Sequence, residues 1–314
     1  MLKEYPLVTV IIPSYNHAQY IREAIKSVFE QTYPYWELVV VDDGSSDDTA
    51  RVLKEYEGLD RVTVICNRVN KGQSAVVNQA LSIAKGEYVC FLPSDDWYCK
   101  EKLEIQVEKF LSLGADYGVV YGRGQRYYVD SQVLLDVDLP LYSGDVLNHL
   151  VDSNFVYPVT PMFRRECFDR FPFDESYAAE GEAIYLKLAT VYKFDYVDQV
   201  VGVMRDHSYN TGKAWELMYR DNIRYWEEFF ERPDIPENVK KLKNLRISMV
   251  HRQYGLIEVA RSGDGALSRN MLAKAFRLHH YNLLDWRMLA AYALSFIRVP
   301  QRAWLLRKIG KAID

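Results

Sequence analysis

The chain lacks a glycine-rich phosphate loop. Neither G-x-G-x-x-G nor G-x-x-x-x-G-K-[ST] occurs, and Gly122 with Gly124 has no third glycine and no helix signal after it. This argues against dehydrogenases and P-loop enzymes, and any phosphate group bound by this chain would need metal or side chains, rather than such a loop, to neutralise it. The four cysteines, Cys66, Cys90, Cys99 and Cys167, form no C-x-x-C pair. Two of them fall in predicted strands, so they read as buried thiols of a reducing compartment. No apolar run approaches the roughly 18 residues that span a bilayer. Met1 to Tyr5 carries a lysine and a glutamate and leads straight into a strand, so no signal peptide is read and a cytoplasmic location is expected. Charge of neither sign dominates: 39 Lys and Arg against 43 Asp and Glu leave a net charge of −4, which gives no hint of nucleic-acid binding. Internal repeats and low-complexity tracts are also missing.

What is present alternates. Val8 to Ile12, Glu37 to Val41, Val62 to Cys66 and Tyr88 to Leu92 are short runs rich in Val and Ile, closed by Pro, Asp, Gly or Asn, as expected of buried parallel strands. Between them lie helical periods. Ile21, Ala24, Ile25, Val28 and Phe29 share one face, with Asn16 and Gln19 resembling a capping box ahead of them. Val52, Leu53 and Tyr56 mark a second helix, and Val76, Val77, Ala80, Leu81 and Ala84 a third. In such a strand–helix alternation the crossovers are right-handed and ligands settle at the carboxyl ends of the strands. That brings three polar loops to one edge: Ser14-Tyr15-Asn16, Asp42-Asp43-Gly44-Ser45 and Ser94-Asp95-Asp96.

The last loop matters most. Adjacent carboxylates after a buried strand repel each other unless something positive or hydrogen-bonding lies between them. A hard divalent cation, Mn²⁺ or Mg²⁺, held by one or two carboxylates with phosphate oxygens completing its shell, meets that need; a solvated Asp-Asp turn is the plain alternative. With Tyr15 able to stack on a base and Asp43 able to accept from a base N–H or a ribose hydroxyl, the constellation suggests a nucleotide pocket.

Five blocks in order carry a resemblance. They are V-T-V-I-I-P-S-Y-N from Val8, V-V-V-D-D-G-S-S-D-D-T from Val39, N-x-G-x-S-A from Asn70, A-K-G-E-Y from Ala84 and S-D-D-W from Ser94. Together they resemble family 2 glycosyltransferases of bacterial polysaccharide type, which are inverting, metal-dependent and of GT-A fold. The likeness weakens after about residue 130. It implies an α/β fold, a Rossmann-like, mostly parallel central sheet flanked by helices with a helical C-terminal extension, and a nucleotide-sugar donor, most simply a UDP-sugar. It implies base contact by Asp43, ribose contact by Asp95, metal ligation by Asp96, Tyr15 against the base, and Pro13 shaping the same loop, with Asn70 and Gly72 in the donor site.

Two later segments extend the likeness. Glu180-Gly181-Glu182 with the helical run Ala183 to Ala189 is similar to the block whose carboxylate serves as general base. Glycine stands where the family often carries the acid, so Glu182 or Glu180 must supply the base, and Glu182 is favoured by its place next to Ala183. These glutamates could instead merely favour a helix N-terminus. Arg205-Asp206-His207-Ser208-Tyr209-Asn210 looks like the segment that closes over the diphosphate. It implies Arg205 on phosphate oxygens and His207 on the metal or a phosphate. Besides Gly181, two residues depart from the pattern: Pro93 stands where many members have Asp, and Val77 where many have Arg.

The expected division is a catalytic domain over 1–213 and a helical region over 214–314, with boundary signals at Arg232 to Pro236, Ser262 to Gly265 and Val299-Pro300. Near the end, Trp286, Leu289, Tyr292, Ala293, Phe296 and Ile297 make an apolar stripe. Arg298, Arg302, Arg307, Lys308 and Lys311 then surround Trp304, Leu305, Leu306 and Ile309. Such a helix could lie peripherally on an anionic membrane, as a lipid-linked acceptor would require, or pack on the catalytic domain or on a second copy in a homodimer. The expected activity is sugar transfer to a hydroxyl of a glycan or lipid-linked saccharide. The alternatives are a sugar-phosphate nucleotidyltransferase and a catalytically silent nucleotide-sugar-binding protein.

Overall fold

The computed structural model describes residues 5–177, 180–181, 183–207, 215–260, 265–280 and 285–297. The chain divides into two compact units, Met1–Asn210 and Thr211–Asp314.

The first unit opens with β1 (Val8–Ser14), α1 (Ile21–Phe29), β2 (Trp36–Asp42), α2 (Thr49–Leu53), β3 (Val62–Cys66), α3 (Gln73–Leu81) and β4 (Tyr88–Phe91), the alternation expected from the hydrophobic pattern. Then come β5 (Trp97–Tyr98), α4 (Lys102–Leu111), β6 (Tyr117–Tyr128), β7 (Val133–Val137), α5 (Leu147–Asp152), β8 (Met162–Arg164), α6 (Glu166–Arg170), α7 (Ala183–Ala189) and β9 (Lys193–Asp206). The sheet runs β3-β2-β1-β4-β8-β6-β9-β5, with β7 paired to β6. β1 lies parallel to β2 and to β4, with Val8 opposite Trp36 on one side and Tyr88 on the other. Strand order therefore reverses at the β1/β4 junction, the crevice where open α/β sheets bind ligands.

Burial explains why these strands read as unbroken apolar runs. Val8, Val10, Ile11 and Ile12 of β1 are fully enclosed, because helices cover both faces of the sheet. Ile21, Ala24, Ile25 and Val28 of α1 pack on Val8, Val10 and Ile12, and each fully buried Val or Ile contributes about 1.5–3 kcal/mol. β3 is the edge strand, so only part of it is covered. For that reason Cys66, expected to be buried, is exposed, whereas Cys90 and Cys167 are buried. The capping box does not form either. α1 begins at Ile21 without a side-chain cap, and Asn16, at φ 56°, turns its side chain to the neighbouring loop instead.

A buried polar cluster ties α4 to the sheet. The Lys102 ammonium donates to Gln106 Oε1 (2.7 Å) and to the Thr160 carbonyl (2.6 Å), and Gln106 Nε2 donates to the carbonyls of Val120 and Thr160. Burial pushes the Lys102 pKa down to about 8.

The second unit is helical: α8 (Trp215–Glu231), α9 (Glu237–Lys240), α10 (Lys243–Ala260), α11 (Gly265–Leu278) and α12 (Trp286–Leu294). α10 packs on α8 and, closely, on α11. Gly255 permits that approach, since a Cβ there would lie 2.8 Å from Leu272. In α12, Met288 and Ala291 face inward, while Trp286 and Leu289 of the expected stripe, and Phe296 just beyond the helix, are exposed. The basic segment from Arg298 onward lies outside the described residues. Among those described, no helix is long and apolar enough to cross a membrane.

Candidate functional site

The three polar loops do meet at one edge, held together by hydrogen bonds that each loop's own sequence supplies. The Asp43 N–H donates to the Ser14 carbonyl (2.8 Å), the Asn16 N–H to Ser45 Oγ (2.8 Å), and the Ser46 N–H to Asn16 Oδ1 (2.8 Å). The His17 N–H donates to Thr49 Oγ1 and the Ala18 N–H to Asp47. Asp42 is buried beneath this junction and accepts from the Ser45 N–H and hydroxyl; burial raises its pKa.

Asp43 anchors a fourth loop. Its carboxylate accepts the backbone N–H groups of Lys71 and Gly72, each at 2.9 Å, which brings Asn70 and Gly72 to the same edge. Gly44 makes this possible. It sits at φ +72°, and a Cβ there would lie 2.9 Å from the Val69 carbonyl carbon, so only glycine fits without displacement of the backbone. Tyr15 projects half-exposed from the first loop. The Ser14 hydroxyl, at the carboxyl end of β1, is buried and has no hydrogen-bond partner among the described residues, as expected of a polar atom that a ligand satisfies.

The acidic doublet separates into two environments. Asp95 faces two imidazoles: His207 Nε2 lies 3.0 Å from its Oδ2, and His17 Nδ1 lies 3.9 Å from its Oδ1. One ligand atom from each of His17, Asp95 and His207 lies within 4.8 Å of the other two. His17 Nδ1 is also 2.7 Å from Ser94 Oγ, and the ring of Tyr20 stacks on His207. Burial lowers the His17 pKa and His207 lowers it further, against the pull of Asp95, which favours the neutral imidazole that ligates metals. Two imidazoles with one carboxylate form a donor set suited to a divalent transition metal.

Asp96, where the family likeness implies the metal ligand, is turned elsewhere. Its Oδ1 accepts the Arg205 N–H at 2.7 Å, and burial, with Asp95 alongside, holds its pKa well above the usual carboxylate range. The geometry thus groups Asp95 rather than Asp96 with His207.

Arg205 is also differently occupied from the expected phosphate contact. Its Nε donates to the Asp95 carbonyl (2.8 Å), its Nη2 pairs with Glu23, and the guanidinium lies 4.7 Å from the ring centres of both Tyr20 and Trp97. Stacking and a planar fork suit arginine to this enclosed position. The residue holds the Asp95-Asp96 turn against α1 and β9.

The candidate base splits similarly. Glu180 is fully buried, accepts the Asp174 N–H (2.7 Å) and pairs with Lys187, so its carboxylate closes the segment leading into α7. Gly181 follows at φ 51°. Glu182 and Asn210 lie outside the described residues. Pro13 and Pro93, at the ends of β1 and β4, line a cavity of about 150 Å³ together with Glu180 and Gly181.

Sequence reasoning missed His17 and Glu23. His17 directly follows the Tyr15-Asn16 pair, and its polarity at the carboxyl end of the first strand was a usable signal. Glu23 sits inside a helix and had none.

The family model described as Glycosyl transferase family 2 matches residues 9–171, just over half of the 314. The putative teichuronic acid biosynthesis glycosyltransferase TuaG of Bacillus subtilis is 47% identical over 104 residues, covering 33% of this chain and 41% of that protein. The UDP-Glc:alpha-D-GlcNAc-diphosphoundecaprenol beta-1,3-glucosyltransferase WfgD of Escherichia coli is 42% identical over 105 residues, with coverage of 33% and 41%. Chondroitin synthase of Escherichia coli is 31% identical over 239 residues, 74% of this chain and 34% of that protein. The matched part thus spans about two fifths or less of these relatives' lengths. Among solved structures, S. aureus TarS 1-349 superposes with a TM-score of 0.65 at 18% identity, covering 92% of this chain and 90% of TarS 1-349. Mannosyltransferase PcManGT from Pyrobaculum calidifontis, solved with GDP-Man and Mn²⁺, gives 0.60 at 19% identity, with coverage of 94% and 88%. These likenesses show a shared fold, the GT-A arrangement of a curled α/β sheet followed by helices.

Proposed function

We propose that this chain, which belongs to glycosyl transferase family 2, moves a sugar from a nucleoside diphosphate, UDP, to a hydroxyl of a growing glycan with inversion at the anomeric carbon. The observation that carries the reading is the convergence of His17, Asp95 and His207 beside the Tyr15 and Asp43 loops at the β1/β4 switch point. TarS has been solved with UDP and with UDP-GlcNAc, which supports a uridine donor.

His17, Asp95 and His207 would hold a divalent cation, Mn²⁺ before Mg²⁺ because two of the donors are imidazoles. Bound there, the cation supplies charge stabilisation for the departing diphosphate. The other parts belong to the chain. Tyr15 covers the base, and Asp43 with the Asn70–Gly72 turn closes the base and ribose side. Ser14 offers its hydroxyl to the donor, and Arg205 fixes the Asp95-Asp96 turn as a positioning residue. A carboxylate must take the acceptor's proton as the glycosidic bond forms. Glu182 is assigned that role, because Glu180 is already engaged by Lys187 and the Asp174 N–H. The acceptor reading follows WfgD, whose name specifies a diphosphoundecaprenol-linked sugar: a lipid-linked saccharide met at the membrane surface.

A screen of nucleotide sugars for Mn²⁺-dependent binding and for transfer or hydrolysis tests this. Wild type should bind UDP-sugars and turn them over, Glu182→Gln should bind without turnover, and Glu180→Gln should retain turnover. Absence of UDP binding with and without Mn²⁺ would sink the proposal. Gly181, standing where the family often carries its acid, favours a second reading, a silent binding protein. Preserved UDP binding with no turnover in wild type would select it.

A further inference from the structure

The three departures from the family pattern, Val77, Pro93 and Gly181, are far apart in sequence yet line one cavity. Its volume is about 150 Å³, and its wall also includes Phe91, Phe163 and Tyr185. Of its polar side chains, Glu180 is neutralised by Lys187, and the Ser74 hydroxyl donates to the Tyr177 carbonyl at 3.4 Å. The Gln73 amide completes the polar part of the wall. Among the described residues, no uncompensated charge faces the space. An apolar cavity of this size admits a guest as large as benzene. A hydroxyl-studded sugar face gains nothing there, because each buried hydroxyl without a partner costs free energy.

The position narrows the occupant. Pro93 lies two residues before Asp95 and Pro13 one before Ser14, so the cavity adjoins the candidate cation site and the end of β1. On the donor-site reading above, a diphosphate held at Asp95 leaves the attached sugar within reach of this wall. We propose that the cavity receives the N-acyl substituent of the donor's sugar: the methyl goes to the wall of Val77, Phe91 and Pro93, and the amide meets Gln73 or Ser74. The donor class is then a nucleoside diphosphate N-acylhexosamine. This rests on the donor-site reading above and adds the sugar class to it. Val77 and Pro93, with Phe91 and Phe163, make the wall apolar.

Calorimetric titration of the full chain in Mn²⁺ with UDP, UDP-GlcNAc, UDP-glucose and UDP-6-deoxyglucose separates the possibilities. Wild type should bind UDP-GlcNAc at least about tenfold more tightly than UDP-glucose, the usual range for one apolar group in a fitted pocket. Val77→Asn and Pro93→Asp should each bring that ratio toward one while UDP alone binds as to wild type, with thermal melts showing both variants folded. Equal binding of UDP-GlcNAc and UDP-glucose by wild type overturns the proposal. So does a preference confined to the 6-deoxy sugar, or a ratio unchanged in both folded variants. Failure to bind UDP at all refutes the donor reading beneath it, a different result from UDP binding without sugar discrimination.

Discussion

Neutralising one aspartate of the doublet at a time should give opposite results, and the structure says which. Asp95→Asn removes the only carboxylate of the His17–Asp95–His207 group. Changes at residues that merely orient metal ligands cost about 10–100-fold in affinity, so loss of the charged ligand itself should cost Mn²⁺ binding about 100-fold or more. Asp96→Asn is expected to be mild. Its Oδ1 accepts the Arg205 N–H at 2.7 Å, and an amide oxygen can accept the same bond. Exchanging a charge-assisted bond for a neutral one gives up about 1 kcal/mol. Removal of a buried carboxyl whose pKa burial already raises offsets part of that. Even if the whole residual of about 1 kcal/mol or less fell on the holding of the Asp95 turn, Mn²⁺ affinity would change by about fivefold or less. The assay is the electron paramagnetic resonance signal of free aqueous Mn²⁺ during titration of each folded variant, which needs no turnover. If Asp96→Asn abolishes binding and Asp95→Asn does not, the grouping drawn from the imidazole distances is wrong and the sequence-based assignment to Asp96 stands.

Other consequences follow from buried groups. Burial lowers the Lys102 pKa from 10.5 to about 8, so between those values the unfolded chain binds the proton that the folded chain has released, and stability rises with pH. The gain attributable to Lys102 is about 2 kcal/mol from pH 7.5 to 9.5; urea unfolding of wild type and Lys102→Met at both pH values should show that increment only in wild type, and parallel curves would contradict it. Arg205→Lys loses the Nε–H bond to the Asp95 carbonyl and the stacking on Tyr20 and Trp97. It should lower unfolding free energy by about 2 kcal/mol in the same assay, and an unchanged midpoint would deny Arg205 its positioning role. Gly44→Ala forces a side chain into φ +72° and against the Val69 backbone, a cost of about 1–2 kcal/mol from the dihedral alone. Its thermal melt should shift down and UDP binding weaken with it.

The strand–helix alternation through β4 was legible because a parallel sheet covered on both faces demands unbroken Val and Ile runs, and α1 demands Ile21, Ala24, Ile25 and Val28 on one side. The carboxyl-edge loops followed from the same logic, as did the family, since its blocks lie in those loops. β5 and β8 were not legible. They have two and three residues, too few to show a period, and their pairing depends on partners remote in the chain. The capping box failed because Asn16 had a better bond available in Ser46, 30 residues away.

Local sequence therefore determined which residue types stand at the ends of β1, β2 and β4, and so the class of chemistry they can support. Tertiary structure alone decided what each carboxylate and cation does there. Asp95 and Asp96 are neighbours with the same side chain, yet one meets His17 and His207 while the other meets the Arg205 backbone. Glu180 meets Lys187, and Val77, Pro93 and Gly181 line one cavity. A charge's role depends on its partners within a few ångströms and on how much water is excluded around it, and chain order carries neither.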